Sequence, residues 1–381
     1  MLTGIVTTLL GPILPTLAET WSLRDSQAGF LFTAQFAGSI AGVTLHTLLS
    51  RWSLRMLLMV GFVLMALGVG LLPLGHWPAG LAFVFCYGVG LGLTLPSTNL
   101  AVSEANPERR AAALNLLNLA WGCGAVAWPL VATWSHNRDY GSAVLFVLGA
   151  LLALSGVAAW LLLPSRVVRQ EETAGLVEKH AKPWQQPPSP LLGLLFFLYV
   201  GIENGVAGWA STYVQRMGPV SAAGWGVIPA FFWGALLLGR AAAPLALRWV
   251  SEGRLLLMGL GLATCGITGL LMTRNFAGAA LSVMLTGVGL APVFPGAVAL
   301  LSHLFGASAH RLAGTMFGLA GLGGAVLPWS IGAVSGMFGT LRAGLLVPLC
   351  GNLLMIALIL RIHRHGTQHT LAAVASSPQL R

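Results

Sequence analysis

Residues 193–215 read GLLFFLYVGIENGVAGWASTYVQ, and the single carboxylic acid in that run, Glu203, decides how the chain is read. The only other ionisable groups in it are the phenols of Tyr199 and Tyr213. A run of this length crosses a bilayer, which takes about 20 predominantly apolar residues. A carboxyl at the middle of such a span costs several kcal/mol unless it is protonated, paired or facing water. An acid kept there marks a pathway or a binding site. The plainer alternative is a protonated carboxyl hydrogen-bonded to a neighbouring helix.

The rest of the chain supports a membrane reading. Hydrophobic residues make up 56% and charged residues 8%, with a mean hydropathy of +0.82, which excludes a soluble domain. The 49 glycines suit helices packed closely through small-residue faces. The net charge of +10 does not point to nucleic acid, because the basic residues are scattered singly and in pairs between apolar runs. No phosphate-binding loop, zinc signature or nucleophile constellation is present, so the chain does not read as an enzyme.

Apolar runs between charged breaks give twelve spans, at 1–18, 27–49, 54–74, 79–102, 108–134, 141–163, 191–214, 222–247, 254–273, 277–304, 309–335 and 341–362. With the 165–189 loop in the cytoplasm, 15 of the 20 Lys and Arg fall inside. The other five (Arg24, Arg138, Arg216, Arg274 and Arg342) fall outside, one per loop. That split predicts an all-α multi-pass protein of the cytoplasmic (inner) membrane with both termini cytoplasmic. The first span is short, so either the helix is abbreviated or the true start lies upstream of Met1. A cleaved signal peptide is not expected, for want of a charged n-region and a small-residue cleavage site. Cys86, Cys123, Cys265 and Cys350 sit in apolar runs without C-x-x-C spacing and read as small hydrophobes. His363, His365 and His369 read as an incidental cluster in a basic tail, not as metal ligands.

The chain also repeats itself. From Gly4 to Trp52 and from Gly201 to Trp249 its two halves run at a constant offset of 197 residues. Gly4-Ile5 matches Gly201-Ile202, Gly11 matches Gly208, Gly42 matches Gly239, and Arg51-Trp52 matches Arg248-Trp249. The same offset relates Gly90 to Gly287 and Leu93 to Leu290; further on, and three residues out of that register, Gly124-Ala125-Val126 echoes Gly324-Ala325-Val326. Each match is weak alone, and the shared offset is what argues for duplication. The expected organisation is a six-helix half over 1–164, a polar linker over 165–190, a second six-helix half over 191–364 and a cytoplasmic tail over 365–381. The linker reads as a tether, with room for one short amphipathic helix, and the tail as disordered.

Three stretches now carry a family resemblance. LNLLNLAWGCGA (Leu114–Ala125), YVGIENGVAGW (Tyr199–Trp209) and Leu238-Gly239-Arg240 resemble segments of the major facilitator superfamily. Within it they are similar to the fucose–galactose–glucose:proton symporters and the related sodium-dependent glucose transporters. In the first stretch Asn115 stands at that group's first Asn and Asn118 at its Gln, while Trp121 replaces its second Asn. In the second, Trp209 comes two residues late. The loop signature G-x-x-x-D-R-x-G-R is degraded to HTLLSRWSLR (His46–Arg55), with Ser50 at the acidic position and Ser53 at the glycine; Arg51 and Arg55 remain. The acids that proton-coupled members carry in their first and fourth helices have no match in Leu2–Leu17 or Tyr87–Ser103.

The resemblance implies alternating access around a cavity lined by the first, fourth, seventh and tenth helices, with the fifth contributing. The implied activity is secondary transport of a small neutral polar solute, a sugar above all. Ser97, Thr98, Asn99, Asn115, Asn118, Trp121, Glu203, Asn204 and Trp209 are the side chains expected to face that cavity. Amides and acids would bind hydroxyls in pairs and indoles would cover C–H faces. For each amide the alternative is interhelical glue, worth about 0.6 kcal/mol per bond. Glu203 is the candidate proton-coupling residue, with sodium coupling or plain uniport as alternatives. Arg240 is placed in the cytoplasmic third of the eighth helix. A rise of 1.5 Å per residue leaves an axial gap of roughly 9 Å to Glu203, so carbonyls of the tenth or eleventh helix are its expected partners and a direct ion pair needs tilt. Arg240, Pro292 and Pro295 are the candidate gating residues, proline bending the tenth helix. Efflux of drugs or hydrophobic compounds is the alternative function. Drug antiporters of the superfamily carry G-P-x-x-G-G in the fifth helix, where this chain has GCGAVAWPL (Gly122–Leu130). No cofactor is expected beyond a coupling ion. The expected partners are a small-molecule substrate and membrane lipid, with no nucleic acid and a monomeric chain.

Overall fold

In a bilayer every backbone N–H and C=O must find its partner within the segment, so the apolar runs of this chain fold as helices. The computed structural model describes residues 1–49, 51–138, 140–165, 188–218 and 222–376. The linker reading over 166–187 therefore lies outside the described residues, as do Ser50 of the loop signature and the side chains of His363, His365 and His369.

The first half comprises α1 (Leu2–Thr7), α2 (Leu10–Thr20), α3 (Asp25–Leu48), α4 (Leu54–Leu71), α5 (Trp77–Ala105), α6 (Arg110–His136) and α7 (Gly141–Leu162). The second comprises α8 (Pro188–Gln215), α9 (Ala222–Ala246), α10 (Glu252–Met272), α11 (Phe276–Leu290), α12 (Val293–Phe305), α13 (Ala309–Phe338), α14 (Leu341–Gly344) and α15 (Leu346–Ser376). Among the described residues there are 11 spans long and apolar enough to cross a membrane. The broken pair α1–α2 supplies the twelfth. The tenth span is also broken: α11 ends at Leu290, and α12 restarts behind Pro292, which cannot donate the backbone bond that would carry the helix on. Pro96, Pro129 and Pro328 lie inside helices that continue through them. The last helix runs on to Ser376, which corrects the expected disordered tail from 365. All four cysteines are free.

The duplication reappears as packing. In the first half α3 packs on α5, α5 on α4, and α4 on α7. In the second, α9 packs on α11, α11 on α10, and α10 on α15. The α3–α5 seam is possible because Gly42 and Gly92 face each other across it. A Cβ on Gly92 would stand 2.1 Å from the Ser39 carbonyl oxygen. Between the halves α3 packs on α13, α6 on α9 and α2 on α8. Two faces result. One carries Arg51, Arg55, Arg109, Arg110, Arg248 and Arg254 at its connections and is called here the basic face; the other carries the turns at 21–24 and 216–218.

Candidate functional site

Glu203 lies in the middle of α8 and is only 7% exposed. Tyr199, one turn earlier, donates its hydroxyl to Glu203 Oε1 at 2.8 Å. Arg240 reaches in from α9, and its Nη2 lies 3.0 Å from the same carboxylate oxygen and 2.9 Å from the tyrosine oxygen. The three groups thus close a triangle in which each polar atom has two partners. Phe294 of α12 packs its ring 5.6 Å from Tyr199, and Phe196 and Phe317 pack in turn against Phe294. This aromatic casing covers the Tyr199 side of the triangle and strengthens the charged contacts there. The expectation that Arg240 bonds carbonyls of the tenth or eleventh helix is corrected. The guanidinium instead reaches Glu203 and Tyr199 of α8 directly and so closes the axial gap itself. Its Nε remains buried without a partner.

Arg240 also forms part of the wall of a cavity of about 540 Å³ between the two halves. From α6 it takes Asn115, Asn118, Trp121, Gly122 and Ala125, which share one helical stripe. From the second half it takes Trp233, Leu236, Leu237 and Arg240 of α9, with Phe294 and Pro295 of α12. Trp121 and Trp233 meet edge to face, ring centroids 5.9 Å apart, across the interface of the halves. Asn115 and Asn118 are exposed to the cavity, and neither side chain hydrogen-bonds to protein among the described residues. Unpaired amides at a cavity wall are free to pair with a ligand. Interhelical glue would leave them engaged.

The other expected site residues go elsewhere. Glu203 stands behind Arg240 and does not line the cavity. Asn204 faces a small void of about 10 Å³ shared with Thr7, Gln35 and Trp233, while its Nδ2 bonds back to the Val200 carbonyl. Trp209 is wholly buried, its indole N–H donating to the Pro328 carbonyl at 2.8 Å, which makes it a packing residue between α8 and α13. Asn99 is exposed on α5 and bonds back to the Leu95 carbonyl. Ser97 and Thr98 do the same to Leu93 and Thr94. Pro292 packs toward Gly259 of α10 and leaves the cavity wall to Pro295. Trp233 and Phe294 were not anticipated, although Trp233 lies two helical turns before Arg240 on the same face of α9. Gln35 was missed too: it is 3% exposed, takes the Tyr87 hydroxyl at 2.9 Å and donates to the Thr7 carbonyl.

On the face opposite the basic one the halves are tied together. Arg216, just past α8, makes two parallel bonds of 2.7 and 2.6 Å to the carboxylate of Asp25 at the start of α3. Ser335 of α13 donates to the same carboxylate, and Gln215 donates to Glu19 at 2.6 Å. The bonds it donates to the Asp25 carboxylate hold the pKa of the Arg216 guanidinium above its ordinary value, so it stays charged. Of the ion pairs among the described residues, only Arg216–Asp25 joins the two halves.

The model of the Major Facilitator Superfamily matches residues 1–333. The chain belongs to the major facilitator superfamily. It is 26% identical over 369 residues to the glucose/galactose transporter of Brucella abortus (strain 2308), covering 91% of this chain and 88% of that protein. A shorter likeness, 28% over 145 residues and 36% of each chain, joins it to the multidrug resistance protein MdtH of Salmonella typhi. Its fold superposes with a TM-score of 0.77 on a bacterial homolog of the human lysosomal transporter Spinster in an inward-facing, occupied conformation. That match has 14% identity and covers 95% and 94% of the two chains. As a major facilitator the chain is an integral multi-pass membrane transporter and not an enzyme.

Proposed function

We propose that this major facilitator takes up a small neutral polar solute, a hexose or related sugar, across the cytoplasmic membrane by alternating access. The observation that carries this reading is the cavity between the halves, with its two unpaired amides and its crossed indoles. Amides suit hydroxyls in pairs, and indoles suit the C–H face of a ring. The only charged side chain on its wall among the described residues, Arg240, is already balanced by Glu203. The likeness to the Brucella glucose/galactose transporter over most of both chains supports the same solute class. The excess of Arg at the basic face supports placing that face in the cytoplasm. The structure is then inward-facing, shut outside by Arg216 and Asp25. The working unit is a single chain in contact with lipid.

Coupling runs through Glu203. When its carboxylate takes a proton, the attraction that holds Arg240 is lost. The guanidinium can then turn its donors toward a hydroxyl of the solute in the cavity. Release of the proton draws Arg240 back and frees the solute. Transport of labelled glucose or galactose into proteoliposomes under an imposed pH gradient tests this. Accumulation that ignores the gradient would remove the proton, a requirement for sodium would make Glu203 a cation ligand, and indifference to both would leave a uniporter.

Extrusion of hydrophobic compounds is the second reading. It draws on the partial likeness to MdtH and on Leu119, Leu236, Leu237 and Phe294 in the cavity wall. A thermal-shift screen of purified protein against sugars and lipophilic cations separates the two, because a ligand of the native state raises its melting temperature.

A further inference from the structure

A second cavity, of about 270 Å³, opens near the face opposite the basic one. It lies between α2, the far end of α6, the start of α7 and the first turns of α9. Trp128, 1% exposed with its indole N–H on the Leu9 carbonyl at 2.9 Å, fills α6 between this cavity and the stretch 115–125 that lines the inner one. The two cavities are separate places on one helix.

The wall chemistry is specific. Thr16, Thr20, Trp21, His136, Ser142 and Trp225 line the cavity, and none of their side chains hydrogen-bonds to protein among the described residues. The imidazole of His136 stands edge-on to Trp225, ring centroids 5.5 Å apart. Among the described residues no carboxylate, lysine or arginine lines it, so that wall suits a neutral ligand. Two indoles offer flat apolar surface, while three hydroxyls and an imidazole offer donors and acceptors around it. The volume falls just below the range of about 300–1,000 Å³ usual for drug-sized ligands, which fits one sugar ring and is too small for a lipid chain. Glu19, Asn137 and Arg138 at the adjoining helix ends are exposed, so such a ligand arrives from water.

We infer that this outer cavity is a second binding site, for a neutral pyranoside-sized polyol with an apolar face, formed only while the face on which it lies is closed. The closure requirement follows from its construction. All of its wall comes from the first half except Trp225 and Gly226 of α9, and Gly226 lies so close to Thr133 of α6 that a Cβ there would stand 2.3 Å from the threonine hydroxyl. A ligand bridging Trp225 to α2 and α6 holds the outer end of α9 against the first half. It therefore slows opening of that face without competing for the inner cavity. This inference does not use what the inner cavity carries.

The test is calorimetric titration of the full chain in nanodiscs with phenyl β-D-glucopyranoside. The parent protein is expected to bind it. Thr16→Phe, which fills the cavity, and Trp225→Ala, which removes one indole, are each expected to weaken binding about tenfold or more. Asn118→Ala in the inner cavity leaves this binding in place. Absence of binding to the parent protein overturns the inference. So does binding lost in Asn118→Ala and unaltered in both Thr16→Phe and Trp225→Ala. Failure of the sugar-transport reading shows separately, as labelled sugar that never enters proteoliposomes.

Discussion

Arg216 and Asp25 hold the two halves together by a pair of parallel hydrogen bonds, 2.7 and 2.6 Å, on the face remote from the inner cavity. The geometry is the forked arrangement that makes arginine–carboxylate pairs strong and directional. Their side chains are 43% and 13% exposed, so water and salt screen part of the attraction. Removing it with Arg216→Gln is expected to favour opening of that face by about fivefold, near 1 kcal/mol. The check is the rate at which a water-soluble maleimide labels Thr7→Cys in a background without the native cysteines. The exchanged pair Asp25→Arg with Arg216→Asp is expected to restore slow labelling. An unchanged rate in Arg216→Gln would show that the pair is no latch.

The buried pair behaves differently. Glu203→Ala strands the Arg240 guanidinium beside an aromatic casing and is expected to cost about 3–5 kcal/mol of stability. The double change Glu203→Met with Arg240→Leu is expected to recover most of it, since two apolar side chains then fill the site. Melting temperatures of the single and double variants in nanodiscs read the coupling. Strictly additive losses would mean that the two groups do not act as a pair.

Glu203→Gln keeps the shape and removes the titrating group. It is expected to abolish accumulation driven by an imposed pH gradient while keeping exchange of labelled for unlabelled solute, which needs binding and rocking but no net proton movement. Proteoliposomes report both. Accumulation equal to that of the parent protein would take the proton away from Glu203.

Asn118→Ala and Asn352→Ala separate a ligand amide from a structural one. Asn118 has no protein partner to lose among the described residues, so its removal is expected to raise KM in proportion to about 1–3 kcal/mol with little change in melting temperature. Asn352 is wholly buried and donates to the Leu260 carbonyl and the Thr264 hydroxyl. Its removal is expected to lower the melting temperature and leave KM alone. The opposite pattern would return Asn118 to interhelical glue.

Trp209→Phe tests the packing role found for that residue. The Pro328 carbonyl loses its indole donor, an expected cost of about 1 kcal/mol, with transport affinity unchanged. A raised KM at unaltered stability would put Trp209 back at the solute.

Much of the fold was legible because the bilayer imposes it: length, apolarity and the offset of 197 residues are properties of sequence. Glu203 stood out for the same reason, as a cost that has to be met. Its partner did not. A rise per residue along one helix says nothing of how far an arginine arm reaches sideways, and Arg240 bridges a gap that the axial count left open. Asn115 and Asn118 shared a visible stripe with Trp121, whereas Trp209 and Asn99 only shared a residue type with a sugar site. Which way a helix is turned depends on its neighbours, and Trp209 is turned toward α13. Gln35 and Asp25 were illegible for a further reason. Their partners lie 52 and 191 residues away, and nothing in either local stretch announces them.

The offset that relates the halves sends Tyr199, Glu203 and Arg240 to Leu2, Val6 and Val43. One copy of the ancestral unit therefore bears the ionic triangle, while the other has aliphatic side chains at all three places. A proton arriving at Glu203 severs no bond between the halves, because both members of the pair belong to the second one. The bond that does cross, Arg216 to Asp25, lies at the other end of the molecule. Under the proposed reading, coupling and closure fall to different parts, and the solute in the cavity between the halves is what can link them. Such a division lets the coupling ion change over evolution without rebuilding the gate.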